Sequence, residues 1–205
     1  MLTKEEIRAS YKSFDDNKIL KLAQNPKGLT KEAIPALIEE VILRKLDANL
    51  IGWIQLENNP LNQIEKDSIF SHIKNCKCSI CKTNSDLKAY EFHSVISGVI
   101  FCDDTLQHLI ICEKCNKKIR WKNFFNTILL GWWSRKGFIA TITALLTEFF
   151  NLFLVKRIND RILNTLIEEN NGTFRKILSS ENPKQQIQNF IENNNVRNLN
   201  KNEYE

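Results

Sequence analysis

Two cysteine pairs with identical spacing constrain this chain more than any other feature. The first pair is Cys78-Ser-Ile-Cys81, the second is Cys112-Glu-Lys-Cys115, and residues 82–111 separate them. Two residues between cysteines let one tight turn present both sulfurs to an ion, and four thiolates complete the tetrahedral coordination of zinc. We therefore predict that Cys78, Cys81, Cys112 and Cys115 bind one Zn²⁺, favoured over iron because zinc uses this pattern more often.

A four-thiolate site predicts a structural metal and no catalysis by it. The coordination sphere has no open position for water, so the free energy of binding would stabilise the fold. The sequence shows no Ser–His–Asp grouping and no paired carboxylates, so we expect neither an enzyme nor a small-molecule substrate. A thiol redox protein is the least favoured alternative, because a thioredoxin-like site needs only one Cys-x-x-Cys.

The other cysteines and the histidines are weaker ligand candidates. Cys76 could replace Cys78, and Cys102 falls at the end of a predicted strand, but we expect both to be partly buried free thiols. His93 and His108 lie on predicted strands and would become ligands only if a cysteine did not.

The beginning of the chain indicates the compartment. Its first residues are charged and contain no apolar stretch, so we expect no secretory signal and a cytoplasmic location. Thiols stay reduced there, which favours metal ligation over disulfides. The 29 basic and 24 acidic residues give a net charge of +5, too diffuse to indicate nucleic-acid binding by itself.

The predicted fold class is α+β. Residues 1–47 read as a helical hairpin or three-helix unit, opening with a Thr3–Glu6 capping box and ending in an amphipathic helix from about Thr30. Linking helices over 48–75 include one that starts near Pro60.

The cysteine pairs enclose a predicted zinc-ribbon-like β module over residues 76–122. Apolar runs separated by polar turn signals, among them Asp103-Asp104, predict three short antiparallel strands. These strands are Leu87–Phe92, Val95–Phe101 and Leu106–Ile111. Amphipathic helices over 158–193 and a flexible polar tail over 194–205 complete the chain.

An apolar arm over residues 123–157 follows the β module. Its second segment, Phe138 to Val155, is slightly short of the roughly 20 residues that a spanning helix needs. On a helix, one stripe would hold Thr141, Ala144, Glu148 and Asn151. The opposite face would hold the apolar residues Ile142, Leu145, Leu146, Phe149, Leu152 and Phe153. A wide apolar face with a narrow polar stripe is typical of helices in the membrane interface or in an apolar groove.

We predict that the arm contacts a membrane surface or an apolar protein partner. The expected contact residues are Trp121, Phe124, Trp132, Trp133, Phe138, Leu145, Phe149 and Phe153. A basic flank could attract anionic lipid and comprises Lys117, Lys118, Arg120, Lys122, Arg135 and Lys136. Alternatively the arm is a core helix or an oligomer interface, or the basic residues near Trp121 bind nucleic acid.

The cysteine pairs followed by Leu129-Leu-Gly131-Trp-Trp133 resemble a loosely defined group of uncharacterised bacterial zinc-ribbon proteins. In that group an apolar segment containing Thr-Pro follows, whereas here Ile142 follows Thr141. The resemblance covers about residues 76–155. Residues 11–46 are similar to a short helical segment found in bacterial proteins, whose Glu-x-x-x-Arg pattern is Glu40 to Arg44 here. Together they imply a bacterial, metal-clipped, membrane-associated protein and no particular activity.

Overall fold

The structure, a computed structural model, describes residues 3–200. Within that range the chain forms a two-stranded sheet and ten helices. The elements are α1 Lys4–Ser13, α2 Asp16–Gln24, α3 Ala33–Leu43, α4 Asn49–Asn58, α5 Gln63–Lys74, β1 Leu87–Ser97, β2 Cys102–Cys112, α6 Glu113–Leu130, α7 Arg135–Phe153, α8 Val155–Glu168, α9 Asn171–Leu178 and α10 Pro183–Asn200. The predicted α+β class, with helices before and after an antiparallel β element, is confirmed.

The chain divides into two compact units. Unit 1 contains the residues up to Asp67 and Leu166–Glu181, and unit 2 contains Ser68–Thr165 and the residues from Asn182 onward. The division passes through α5 and α8, so it does not follow the predicted boundaries at 47 and 75. Unit 1 extends beyond residue 47 because Ile54 of α4 is fully buried in the same core as the first three helices.

Unit 1 is held together by an apolar core and by helix caps. The core joins side chains from α1 to α4: Ile7, Tyr11, Ile19, Ala23, Ala33, Ala36, Leu37, Val41 and Ile54. The predicted capping box is present, since Thr3 accepts from the Glu6 amide and the Glu6 carboxylate accepts from the Thr3 amide. Arg44 donates to the carbonyl oxygens of Phe14 (2.7 Å) and Tyr11 (3.0 Å), which satisfies acceptors at the end of α1.

The start of α5 differs from the prediction at Pro60. Asn62 and Glu65 form a reciprocal pair in which each side-chain oxygen accepts from the other's amide at 2.8 Å, so the helix begins at Gln63. Arg175 of α9 adds an ion pair to Glu65, with Nε 3.2 Å from Oε1. The capping interaction, rather than the proline, sets this boundary.

A long β-hairpin forms the centre of unit 2, and it corrects the prediction of three strands. Strand β1 pairs with β2 from Leu87–Cys112 at one end to Ser97–Cys102 at the other. Polar residues that we expected to separate the strands are instead paired across the hairpin. Ser94 Oγ lies 2.9 Å from Thr105 Oγ1, and His93 contacts Asp104. Asp103-Asp104 is therefore part of β2, because cross-strand pairing satisfies its polar groups within the ladder.

Helices α6 and α7 run antiparallel and pack along β1. Arg120 of α6 pairs with Glu148 of α7, and Gly131 lies so close to Thr141 that a Cβ on the glycine would be 2.0 Å from the hydroxyl oxygen. One contact is near the α6–α7 connection and the other is farther from it along both helices, as expected for an antiparallel pair. The predicted arm is thus a helical hairpin.

Helix α10 pairs with the outer edge of the β-hairpin. Asn195 accepts from the Ile110 amide at 2.9 Å and donates to the Ile110 carbonyl at 2.8 Å, so one amide side chain replaces a missing strand neighbour. The helix extends to Asn200. Residues 194–200, predicted as part of a flexible tail, are therefore helical, and 201–205 lie outside the described residues.

Candidate metal centre

The first cysteine pair lies in a tight turn just before the β-hairpin. The Lys82 amide donates to the Cys78 carbonyl at 2.8 Å, and the Cys78 amide donates to the Thr83 carbonyl at 3.0 Å. Lys82 takes the left-handed conformation, with φ at 58°, which closes the turn directly after Cys81. The backbone thus presents Cys78 and Cys81 on the same side of the loop.

The second pair lies at a strand-to-helix junction. Cys112 ends β2 and is also the N-cap of α6, with its sulfur accepting from the Cys115 amide at 3.5 Å. Cys115 occupies the first turn of that helix. This placement corrects the predicted zinc ribbon, because the second pair begins a helix and the residues after it continue into the arm without a boundary at 122.

The helix start also suits thiolates physically. Free amides and the positive end of the helix dipole favour negative charge there and lower the free energy of a thiolate relative to a thiol.

The sulfur positions fit one metal ion. All four sulfur atoms of Cys78, Cys81, Cys112 and Cys115 lie within 4.8 Å of one another, and those of Cys81 and Cys112 are 3.6 Å apart. Tetrahedral bonds of about 2.3 Å would place sulfurs about 3.8 Å apart, close to this spacing. The structure therefore brings the four predicted ligands together, with only Cys81 partly exposed.

The four thiols differ in acidity. Hydrogen bonds from the Thr83 side chain and backbone lower the pKa of Cys81 to about 6. Burial, together with hydrogen bonds to the neighbouring thiols, raises the pKa of Cys115. A metal would compete with a proton most strongly at Cys115, so metal binding here would release protons.

The remaining cysteines and the two strand histidines lie outside this cluster. Cys76 is buried and its thiol donates to the His72 carbonyl at 3.3 Å. Cys102 is at the other end of the β-hairpin, opposite Ser97. His93 contacts the Asp104 carboxylate, and the ring of His108 lies 3.1 Å from the carboxylate of the residue paired with it on β1. None of these side chains completes the metal geometry.

Helix α7 has its polar residues inside and its apolar residues outside. Thr141, Ala144, Glu148 and Asn151, the predicted polar stripe, are all buried. The carboxylate of Glu148 accepts from the His93 amide at 2.7 Å and pairs with Arg120. Glu148 and Asn151 of the stripe therefore bond to β1 and α6, which leaves the opposite apolar face exposed.

Most of the predicted contact residues are on this exposed side. Six have large exposed side chains: Trp121, Trp132, Trp133, Phe138, Phe149 and Phe153. Phe124 and Leu145 are half-buried and line a groove of about 420 Å³ between α6 and α7. Arg135–Phe153 also has the length and composition of a membrane-crossing helix, although 28% of that window is buried.

The predicted basic flank divides into two groups. Five of its residues are exposed: Lys117, Lys118, Lys122, Arg135 and Lys136. Arg120 is instead half-buried, with 12% of its side chain exposed, and its guanidinium pairs with Glu148. It also lines the groove between α6 and α7, so the ion pair with Glu148 fixes it at the base of that groove.

One exposed apolar feature was missed by the sequence analysis. Val99, Ile100 and Phe101 form the turn of the β-hairpin, whereas the apolar run predicted a strand over Val95–Phe101. Gly98 is the signal that could have placed a turn here.

In comparisons with known proteins, no family model, no curated protein and no solved structure matches this chain. Its function must therefore be argued from the metal cluster and from the surface of unit 2.

Proposed function

We propose that this chain is a non-enzymatic protein in which structural Zn²⁺ stabilises a module that docks on the surface of an anionic membrane. The docking surface is the outer face of α6 and α7, hereafter the outer apolar surface. Its members are Trp121, Phe125 and Leu129 of α6, with Ile139, Ile142, Leu146, Phe149, Phe150 and Phe153 of α7. The observation that carries the proposal is the inverted polarity of α7.

The inversion is energetically informative. A soluble helix normally turns its apolar side to the core, because each buried apolar Å² contributes about 25 cal/mol. Here Glu148 and Asn151 are the buried side chains, while Ile139, Phe150 and Phe153 are 68%, 57% and 73% exposed. Monomeric proteins rarely expose contiguous apolar surface of this kind unless it binds something.

The residues around the outer apolar surface favour lipid over a protein partner. Exposed cations stand at both ends: Lys122 on α6, Arg135 and Lys136 at the start of α7, and Lys156 and Arg157 after its end. Each cation near an anionic leaflet contributes about 1 kcal/mol. Exposed tryptophans, here three on α6 and the connection, are typical of the headgroup layer. The cytoplasmic face of the cell membrane, where thiols stay reduced and can bind a metal, is the expected location.

The role assigned to zinc is to hold the docking surface in place. Cys112 and Cys115 begin α6, and the first pair lies beside the open end of the β-hairpin. One ion bonded to both pairs would fix the direction in which α6 leaves β2. Four thiolates saturate the ion, so no reaction is assigned to it.

Vesicle flotation with the full chain tests this proposal. We compare vesicles of phosphatidylcholine alone with vesicles that also contain phosphatidylglycerol. Replacement of Ile139, Leu146 and Phe150 by Gln should abolish flotation, because these side chains are exposed on α7 and support no core. Substitution is preferred to removal of the arm, since removal would expose the face of β1 that α7 covers.

A matched variant controls for loss of apolar surface in general. Ile42, Leu43 and Ile64 are also more than half exposed but lie in unit 1, and their replacement by Gln should leave flotation unchanged. The proposal is refuted if the wild-type chain does not float with anionic vesicles, or if both triple variants float equally. Soluble behaviour together with salt-dependent binding of RNA or DNA would favour the nucleic-acid alternative instead.

A further inference from the structure

The turn of the β-hairpin is the most exposed apolar feature of unit 2. Val99, Ile100 and Phe101 are 85%, 98% and 60% exposed. Hairpin turns ordinarily carry Gly, Asn, Asp or Ser, because those residues suit tight turns and water. Val99 and Ile100 are almost fully exposed and add no apolar burial to the fold, so their apolar character indicates contact with a ligand.

The turn has a defined conformation. The Gly98 amide donates to the Phe101 carbonyl at 2.8 Å, and the Phe101 ring packs over Gly98, where a Cβ would lie 2.5 Å from a ring carbon. Phe101 therefore covers the base of the turn, and Val99 and Ile100 form its vertex. A glycine at position 98 is needed for this close approach.

The turn is also fixed to the α6–α7 connection. Ser97, the last residue of β1, donates through its hydroxyl to the Gly131 carbonyl at 2.8 Å and accepts from the Trp133 amide at 3.0 Å. Gly137, in the first turn of α7, approaches Ser97 so closely that a Cβ would lie 2.4 Å from the hydroxyl oxygen. The hairpin turn and the start of α7 are thus in direct contact.

This arrangement gathers lipid-binding chemistry at one end of unit 2. The tryptophans at 132 and 133 and the cations Arg135 and Lys136 all belong to the segment that Ser97 holds. Two acidic residues follow the turn, Asp103 and Asp104. Asp104 is paired with His93, so among the described residues Asp103 is the one unpaired carboxylate next to the turn. The metal cluster is at the opposite end of the β-hairpin. Ten residue steps of strand separate Ser97 from Leu87, which corresponds to about 33 Å between the two ends.

We propose that residues 98–101, hereafter the hairpin tip, insert into the bilayer as a second anchor, with Val99 and Ile100 entering the acyl region. The tip is a convex apolar vertex bordered by indoles and cations, as an interfacial anchor requires. This inference rests on the proposed membrane function and adds a second point of contact. The tip lies at the end of the outer apolar surface where α6 and α7 connect, so the bilayer contact would be deepest there, at the end of the β-hairpin opposite the metal cluster.

The test measures partition of the full chain into vesicles of phosphatidylcholine and phosphatidylglycerol. Ile100→Gln removes apolar contact without adding charge and should weaken partition roughly 10-fold, as expected for a large aliphatic side chain that leaves the acyl region. The matched control is Val196→Gln on α10, which is 53% exposed in the same unit and should change partition less than twofold.

A second variant reports depth directly. In Ile100→Trp the new indole should be quenched by lipids brominated on their acyl chains, whereas in Val196→Trp the added fluorescence should not be. If Ile100→Gln partitions like the wild type and Ile100→Trp is not quenched, the tip is not an anchor, and wild-type binding to vesicles then belongs to the outer apolar surface alone. If the wild-type chain does not bind vesicles at all, the proposed function fails and this inference fails with it.

Discussion

The buried ion pair between Arg120 and Glu148 should decide which face of α7 is turned inward. The side chains are 12% and 7% exposed, and Glu148 also accepts from the His93 amide at 2.7 Å. Replacing Arg120 by Met keeps the aliphatic volume but leaves the carboxylate with one neutral donor. Loss of one partner from a buried pair costs about 3–5 kcal/mol, because the other charge stays uncompensated in a medium of low dielectric. We expect that loss in the free energy of unfolding.

The destabilisation by Arg120→Met should depend on pH in a definite direction. Burial raises the pKa of Glu148 above its ordinary value, and Arg120 opposes that shift. Without Arg120 the folded-state pKa rises further above the unfolded value, so stability is lost as the pH rises through it. The destabilisation of Arg120→Met should therefore be largest near neutral pH and should shrink on acidification, as the carboxyl group becomes neutral.

The measurement is urea unfolding of zinc-loaded protein, at neutral and mildly acidic pH, for both single variants and the double variant Arg120→Met with Glu148→Leu. The double variant should lose less stability than either single variant alone, because it buries no charge. Two results would contradict the argument. One is a change of less than about 0.5 kcal/mol for Arg120→Met. The other is a double variant whose loss equals the sum of the single losses.

Three further outcomes can be checked on the same protein. Cys112→Ser should lose bound zinc, measured by elemental analysis, and cooperative unfolding of unit 2, measured by circular dichroism. Cys102→Ser should keep one zinc per chain. Equal metal content in the two variants would refute the site. Gly52→Ala, with nothing within 4 Å of the added Cβ, should raise stability by about 1 kcal/mol, whereas Gly131→Ala, whose Cβ would lie 2.0 Å from a hydroxyl oxygen, should lower it by about 1–3 kcal/mol. Glu65→Gln should cost about 1 kcal/mol at neutral pH, because it removes the ion pair with Arg175 and weakens the capping of the Asn62 amide. The difference should vanish as the pH falls through the lowered folded-state pKa of Glu65, and a gap that persists in acid contradicts this.

The local pattern of the sequence was sufficient where neighbouring residues determine structure. The spacing of the four cysteines predicted their convergence because each pair needs only a short turn. The Thr3–Glu6 capping box was readable because its partners are three residues apart. The two faces of α7 were readable because helical periodicity alone separates Glu148 from Phe149.

The sequence was misleading where a specific side-chain contact outweighed a turn or helix-start signal. Asp103-Asp104 resembled a turn, but His93 and the ladder accommodate it within β2, so two long strands replace three short ones. Pro60 resembled a helix start, but the Asn62 cap delays α5 to Gln63. In each case residue type alone indicated a turn or a helix start, and a specific side-chain contact determined the observed structure.

By itself the sequence determined which four thiols could share a metal and that one helix of the arm would have a polar and an apolar face. It could not determine which face points inward, because that depends on Arg120 and the His93 amide, 28 and 55 positions away from Glu148. Only the tertiary structure pairs those groups, and their burial leaves the apolar face of α7 exposed. The cysteine spacing gives this protein its predicted metal site, whereas long-range polar pairing gives it the surface on which the proposed function depends.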